Sequence, residues 1–140
     1  MYSINKSDGK VRWTFKGGNW FWADPVVKGK IIYATCLDHK IYAIDVQTGK
    51  ELWQYEGDSA FISKPVLSGD FLTAISDSGE IYLLDLNNGA LKQKISIGYA
   101  TMAPLYAKDN IIYVHARNDY IYAVDIQTGK VTWKFKPESN

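Results

Sequence analysis

Two histidines, one cysteine and a recurring set of aspartates are the side chains best suited to chemistry in this 140-residue chain. His39 and His115 lie far apart in sequence, and no third carboxylate or cysteine has metal-ligand spacing to them. Both are therefore expected to be surface or hydrogen-bonded histidines. Asp45, Asp85 and Asp125 recur at a fixed interval of 40, a regularity that turn capping explains and an acid/base pair does not require. Ser63, Ser76 and Ser96 lack a Gly-x-Ser-x-Gly context, so serine hydrolase chemistry has no support. Cys36 is expected to be a small buried hydrophobe on an inner strand, and a lone cysteine excludes an intrachain disulfide or a Cys-based zinc cluster. What remains is binding chemistry. The run Trp20-Phe21-Trp22 offers aromatic anchors, which bury large area at low rotamer cost.

Composition narrows the classes further. Sixteen Lys+Arg against fifteen Asp+Glu leave a net charge of +1, so no electrostatic excess points to nucleic acid or an anionic membrane. Apolar runs stop after a few residues, far short of the roughly 18–20 needed to span a bilayer, and the opening residues lack a signal-peptide core. With 46% hydrophobic residues, the chain can bury a core of its own and is expected to fold as one globular unit.

The elements that position these side chains repeat. Gly9, Gly49, Gly89 and Gly129 are spaced by 40, as are Tyr2, Tyr42, Tyr82 and Tyr122. Each unit reads as four short strands, as in 65–67, 71–76, 80–85 and 90–96, separated by turns such as Ser68-Gly69-Asp70 and Asp77-Ser78-Gly79. No segment has helical periodicity, so no Gly-rich phosphate loop can open a helix. Residues 31–34 and 111–114 are apolar on successive positions, the pattern of strands covered on both faces. The fold class that follows is all-β, a β-propeller of four-stranded antiparallel blades. The units run approximately over 1–22 (partial), 23–62, 63–101 and 102–140 of a single propeller segment, about 3.5 blades in all.

Within each unit the pattern A-x-D-x-x-T-G-x-x-x-W stands out, present at 43–53 and 123–133 with Asp45, Thr48, Gly49, Trp53 and Asp125, Thr128, Gly129, Trp133. Asp85 and Gly89 keep the pattern in the middle unit, where Asn88 replaces the threonine and Gln93 the tryptophan. The opening unit keeps Trp13 but has Asn5 and Asp8 in place of the aspartate and threonine. This motif resembles the tryptophan-docking motif of the pyrroloquinoline-quinone (PQQ)-like, quinoprotein-type repeat propellers, and it distinguishes the chain from WD repeats, in which the Trp-Asp pair ends a strand. The resemblance implies that each motif tryptophan packs between neighbouring blades. It is similar, too, to propellers of the outer-membrane assembly-factor type, which bind no quinone.

Three and a half blades fall below the smallest closed propeller, and the chain starts at the third strand of a blade. It is read as a piece of a seven- or eight-bladed ring, with self-assembly of copies through open blade edges as the rival reading. In propellers the outer-to-inner connections and the second-to-third-strand turns share one rim. That rim collects Trp20, Phe21, Trp22, Phe61 and Tyr99 from one loop class and His39 and Arg117 from the other, and these form the candidate partner-binding surface. The competing structural reading has the aromatics plugging the channel mouth or packing on the adjacent blade.

The function expected is a non-catalytic scaffold or binding domain for protein, or saccharide, partners, working outside the cytoplasm by resemblance and without a cofactor. The alternative that the resemblance raises is part of a PQQ-dependent, calcium-requiring alcohol or sugar dehydrogenase, in which Asp38, Asp77 or Asp119 would face the cation. The adjacent cysteine pair found in many such enzymes is missing from this sequence, which has only Cys36.

Overall fold

The computed structural model describes residues 1–101 and 103–138. The unit boundary at 102 and the last two residues of the final unit lie outside the described residues. Fourteen strands are formed among the described residues, arranged as one two-stranded and three four-stranded antiparallel sheets. The opening half-blade pairs β1 (Tyr2–Ile4) with β2 (Val11–Thr14). The first full blade runs β3 (Val26–Lys28), β4 (Ile31–Thr35), β5 (Lys40–Asp45) and β6 (Glu51–Glu56). The second runs β7 (Val66–Ser68), β8 (Phe71–Ile75), β9 (Glu80–Asp85) and β10 (Leu91–Ser96). The third runs β11 (Tyr106–Lys108), β12 (Ile111–His115), β13 (Ile121–Asp125) and β14 (Lys130–Phe135). Each full blade is a plain meander, so every strand pairs with its sequence neighbour. This is the all-β propeller architecture, and among the described residues no helix is long and apolar enough to cross a membrane.

The middle strands read apolar on consecutive residues because both their faces are covered. In β5 and β9 the four residues 41–44 and 81–84 are all buried. Three apolar clusters form between successive sheets. Tyr42 and Ile44 meet Trp13, Phe15 and Phe21; Tyr33, Ile41 and Trp53 meet Leu72, Tyr82 and Leu84; Ile75, Leu83 and Ile95 meet Ile112, Tyr122 and Val124. The core of this fold therefore lies between blades, and each sheet is stabilised chiefly by its neighbours.

The hairpin joining third to outermost strand shows why the motif recurs. Asp45 Oδ1 accepts bonds from Gln47 N (3.0 Å), Thr48 N (2.7 Å) and Thr48 Oγ1 (2.8 Å), while Gly49 N closes the turn on Asp45 O at 2.9 Å. The Thr48 amide and hydroxyl hold the Asp45 carboxyl below its ordinary range. Gly49 sits at φ 70°, in the left-handed region open to glycine. Asn5 does the work of the aspartate in the opening half-blade, accepting from Ser7 N (3.1 Å) and Ser7 Oγ (2.9 Å). A bulge follows at the same place in each hairpin, as between Ala43 and Ile44 and between Ala123 and Val124.

Candidate partner-binding rim

Three backbone bonds, one per full blade, tie each incoming connection to a turn of the blade it enters. Leu37 N donates to Trp20 O (3.0 Å), Asp77 N to Ala60 O (2.8 Å) and Arg117 N to Ala100 O (2.8 Å). Donors and acceptors both recur at 40-residue spacing, so the connections and the second-to-third-strand turns share one rim. Trp20 and Trp22 project from it, 71% and 64% exposed. An open groove of about 590 Å³ runs beside them, bounded by Met1, Tyr2, Phe15, Trp20, Trp22 and Pro25.

Packing removes Phe61 from the binding surface and leaves Phe21 half-buried in the wall of the groove. Phe21, between the two tryptophans, touches both the groove and the aromatic cluster beneath it. Its ring lies 5.8 Å from that of Tyr42 and 6.0 Å from Phe15. Phe61 is fully buried, edge-on to Tyr82 at 5.4 Å, and a Cβ on Gly57 would meet its ring at 2.6 Å. Burial of so large an apolar ring outweighs any gain from leaving it free for a partner. Thr101 takes the corresponding place in the third blade, buried and bonded through Oγ1 to His115 O (2.7 Å).

The remaining rim residues are exposed. His39 caps its turn at φ 69°, with its carbonyl accepting Gly57 N at 2.8 Å. Tyr99 is 48% exposed and stacks on Tyr122 at 6.2 Å. Arg117 is exposed on the third blade, and His115, at the end of β12, is exposed as well. The rim thus gathers Trp20, Trp22, His39, Tyr99 and Arg117, with Phe21 half-buried between the tryptophans, spread over three blades rather than drawn into one cluster.

Asp38 is a structural anchor that reading by residue type missed. Its Oδ2 accepts Gly18 N (2.7 Å) and Tyr42 Oη (2.6 Å), and its Oδ1 accepts Lys40 N (3.1 Å). Burial pushes this carboxyl up, but the bonds from Tyr42, Gly18 and Lys40 together outweigh it and hold the value below the ordinary range. The Tyr42 hydroxyl is pushed up by burial and by its bond to Asp38. Cys36 is fully buried, with its thiol donating to Asn19 O (3.2 Å) and raised by burial. The i to i+4 contact with the tyrosine recurs as Asn118 Nδ2 donating to Tyr122 Oη (2.7 Å), and that recurrence was the available sequence signal.

The residues present do not fit a quinone with calcium. Asp38 accepts three hydrogen bonds, Asp77 accepts Ser59 Oγ at 2.6 Å, and Asp119 stands on a third turn, so the three carboxylates serve separate blades. Among the described residues no group of three or more His, Cys, Asp or Glu side chains could hold a metal ion.

The motif side chains lie away from the rim, in the blade interfaces. Trp13 Nε1 donates to Val46 O (2.8 Å) and Trp53 Nε1 to Leu86 O (3.1 Å), each reaching the next blade. Trp133, at the outer face of the third blade, is 48% exposed where Trp53 is 8%.

Comparison with known proteins agrees with this architecture. The chain is similar in fold to the crystal structure of BamB from Moraxella catarrhalis, with a TM-score of 0.80 and 24% identity over 91% of this chain and 41% of that one. A computationally designed protein, Ika8, matches with a TM-score of 0.64 and 23% identity over 76% of this chain and 34% of that one. The chain thus spans well under half the length of either. No curated protein matches in sequence. The family model described as outer membrane protein assembly factor BamB matches residues 1–102 and again 39–135, overlapping as a repeat should. The chain belongs to this BamB-type family of PQQ-like repeat propellers.

Proposed function

We propose that this chain is a non-catalytic propeller scaffold that binds protein partners in outer-membrane assembly through the rim bearing Trp20 and Trp22. The observation that carries this reading is the exposure of those two indoles beside an open groove, within a family described by an outer-membrane assembly factor. Large aromatic side chains held on a rigid rim are the usual anchors of a protein interface. His39, Tyr99 and Arg117 extend the same surface across the next blades. On this reading the protein works outside the cytoplasm, on the periplasmic side of the outer membrane, and needs no cofactor.

The test is site-specific photo-cross-linking in envelope extracts of the source organism. Probes at positions 20, 22 and 99 are expected to capture components of the outer-membrane assembly machinery, and probes at 47 and 127 on the opposite rim are not. Capture from the opposite rim alone, or of no assembly component, overturns the proposal.

Self-association is favoured by a separate observation. Tyr2 and Ile4 are 68% and 58% exposed, although their counterparts Tyr82 and Leu84 are 1% and 0% exposed against a neighbouring blade. Trp133 presents the complementary face at the other end, so one copy can offer its docking tryptophan to the Asn5–Gly9 turn of the next. Light scattering is expected to give a mass above that of the 15.8 kDa chain; a single 15.8 kDa species at all concentrations rules this out.

A further inference from the structure

At one place on the rim the three full blades differ in how a buried tyrosine is satisfied. Tyr42, Tyr82 and Tyr122 recur at 40-residue spacing and are all buried. In the first blade Tyr42 Oη donates to Asp38 Oδ2 at 2.6 Å. In the second, Tyr82 Oη accepts Asp58 N (3.1 Å) and donates to Asp58 Oδ2 (3.3 Å). The same carboxylate pairs with Lys94, which lies over the Tyr82 ring at 5.5 Å and stands 3.7 Å from Glu80. In both blades a carboxylate of the chain itself takes the hydroxyl proton.

The third blade lacks both carboxylates of that arrangement. Gly98 and Tyr120 fill the positions of Asp58 and Glu80, while the lysine is kept as Lys134. Asn118 stands where the first blade has Asp38, but its Nδ2 donates to Tyr122 Oη (2.7 Å), so it gives the hydroxyl a proton instead of taking one. Its Oδ1, accepting Tyr120 N at 3.3 Å, fixes that amide orientation. Among the described residues the Tyr122 proton reaches no acceptor, and no carboxylate pairs with Lys134 or Lys136. Both ammonium groups rest instead over the Tyr120 ring, at 5.2 and 5.6 Å, and that ring lies 6.2 Å from Tyr122. Two like charges on one ring, with an unused O–H on the next, favour an anion. The place is open: a Cβ on Gly98 would meet nothing within 4 Å, and the Asp58 side chain at this position in the second blade is 67% exposed.

We infer that this end of the interface between the second and third blades takes a carboxylate side chain, aspartate or glutamate, of the protein bound at the rim. The incoming carboxylate accepts the Tyr122 hydroxyl and pairs with Lys134, as Asp58 does with Tyr82 and Lys94 one blade earlier, and Lys136 adds a second positive charge. The inference rests on the rim reading, since Tyr99, next to Gly98 and stacked on Tyr122, belongs to that surface. A bond from a largely buried hydroxyl to an ionised group carries more of the affinity than an exposed lysine does.

The probe is N-acetyl-glutamate methylamide, titrated into the full chain and followed by chemical shifts, with the glutamine analogue as control. Saturable shifts centred on Gly98, Tyr120 and Lys134 are expected for the glutamate compound and not for the glutamine one. Tyr122→Phe is expected to weaken binding about tenfold and Lys134→Gln about threefold; the latter, on an exposed strand, serves alone should Tyr122→Phe not fold. Tyr120→Glu returns the Glu80 carboxylate to the third blade and is expected to abolish binding. Equal binding of the two compounds, shifts centred elsewhere, or unchanged binding by folded Lys134→Gln and Tyr120→Glu variants overturns the inference. Absence of saturable binding overturns the carboxylate site alone, because the titration needs no protein partner; the cross-linking at positions 20, 22 and 99 decides the rim separately.

Discussion

The indole of Trp53 lies directly over Gly89 of the following blade, so close that a Cβ on that glycine would stand 2.5 Å from the ring. Trp13 covers Gly49 in the same way, also at 2.5 Å. The motif is thus one contact split between two units: the glycine gives the left-handed turn its conformation and at the same time clears the floor on which the preceding tryptophan rests. Trp53→Ala is expected to lower stability by about 3–5 kcal/mol, as a large core deletion. Gly89→Ala is expected to cost about 2–4 kcal/mol, from the φ of 71° and from overpacking against the ring. Urea denaturation followed by circular dichroism measures both.

Trp133 occupies the same place in the motif but has no blade beyond it in this chain. Trp133→Ala is expected to change stability by less than about 1 kcal/mol in dilute monomer, since an exposed residue loses little on truncation. A loss as large as that of Trp53→Ala would mean that the third blade is covered in solution.

Thr73 Oγ1 is buried and without a hydrogen-bond partner. Thr73→Val, which exchanges the hydroxyl for a methyl of similar shape, is expected to raise stability by about 1 kcal/mol. An unchanged or lowered denaturation midpoint would show that the hydroxyl is satisfied in solution.

Stability should fall in acid partly through Asp38. Its folded value lies below the ordinary one, so its contribution is fully present above the unfolded carboxylate value of about 3.9 and is lost as pH falls from there through the lower folded value. Asp38→Asn is expected to be less stable near neutral pH and to flatten this acid limb, because the amide cannot accept all the bonds from Gly18, Lys40 and Tyr42. Thermal melts between pH 2 and 7 on both proteins, roughly bracketing that range, distinguish this from a general acid effect.

Cys36 is expected to resist alkylation in the folded protein and to react at the rate of a free thiol only in denaturant, because its sulfur is fully buried and burial raises its pKa. Fast labelling of the native chain would mean that the blade opens locally there.

The repeat itself made most of the architecture readable. A 40-residue period, four strands per unit and the Asp-x-x-Thr-Gly turn depend on local backbone chemistry, and local chemistry is written in consecutive residues. Phe21 and Phe61 show the limit. As residue types they read as binding anchors, yet they occur 40 apart like the turn aspartates, and that spacing marks architecture; only packing against Tyr42 and Tyr82 decides that Phe61 is fully buried while Phe21 stays half-buried at the groove. Gln93 shows the other side of the same limit. Its departure from tryptophan is visible in the sequence, but which residues take up the vacated volume is decided by packing between the blades. Leu83 stands where the preceding blade has Ala43, and Phe71 where it has Ile31, so bulk returns to this interface from other strands.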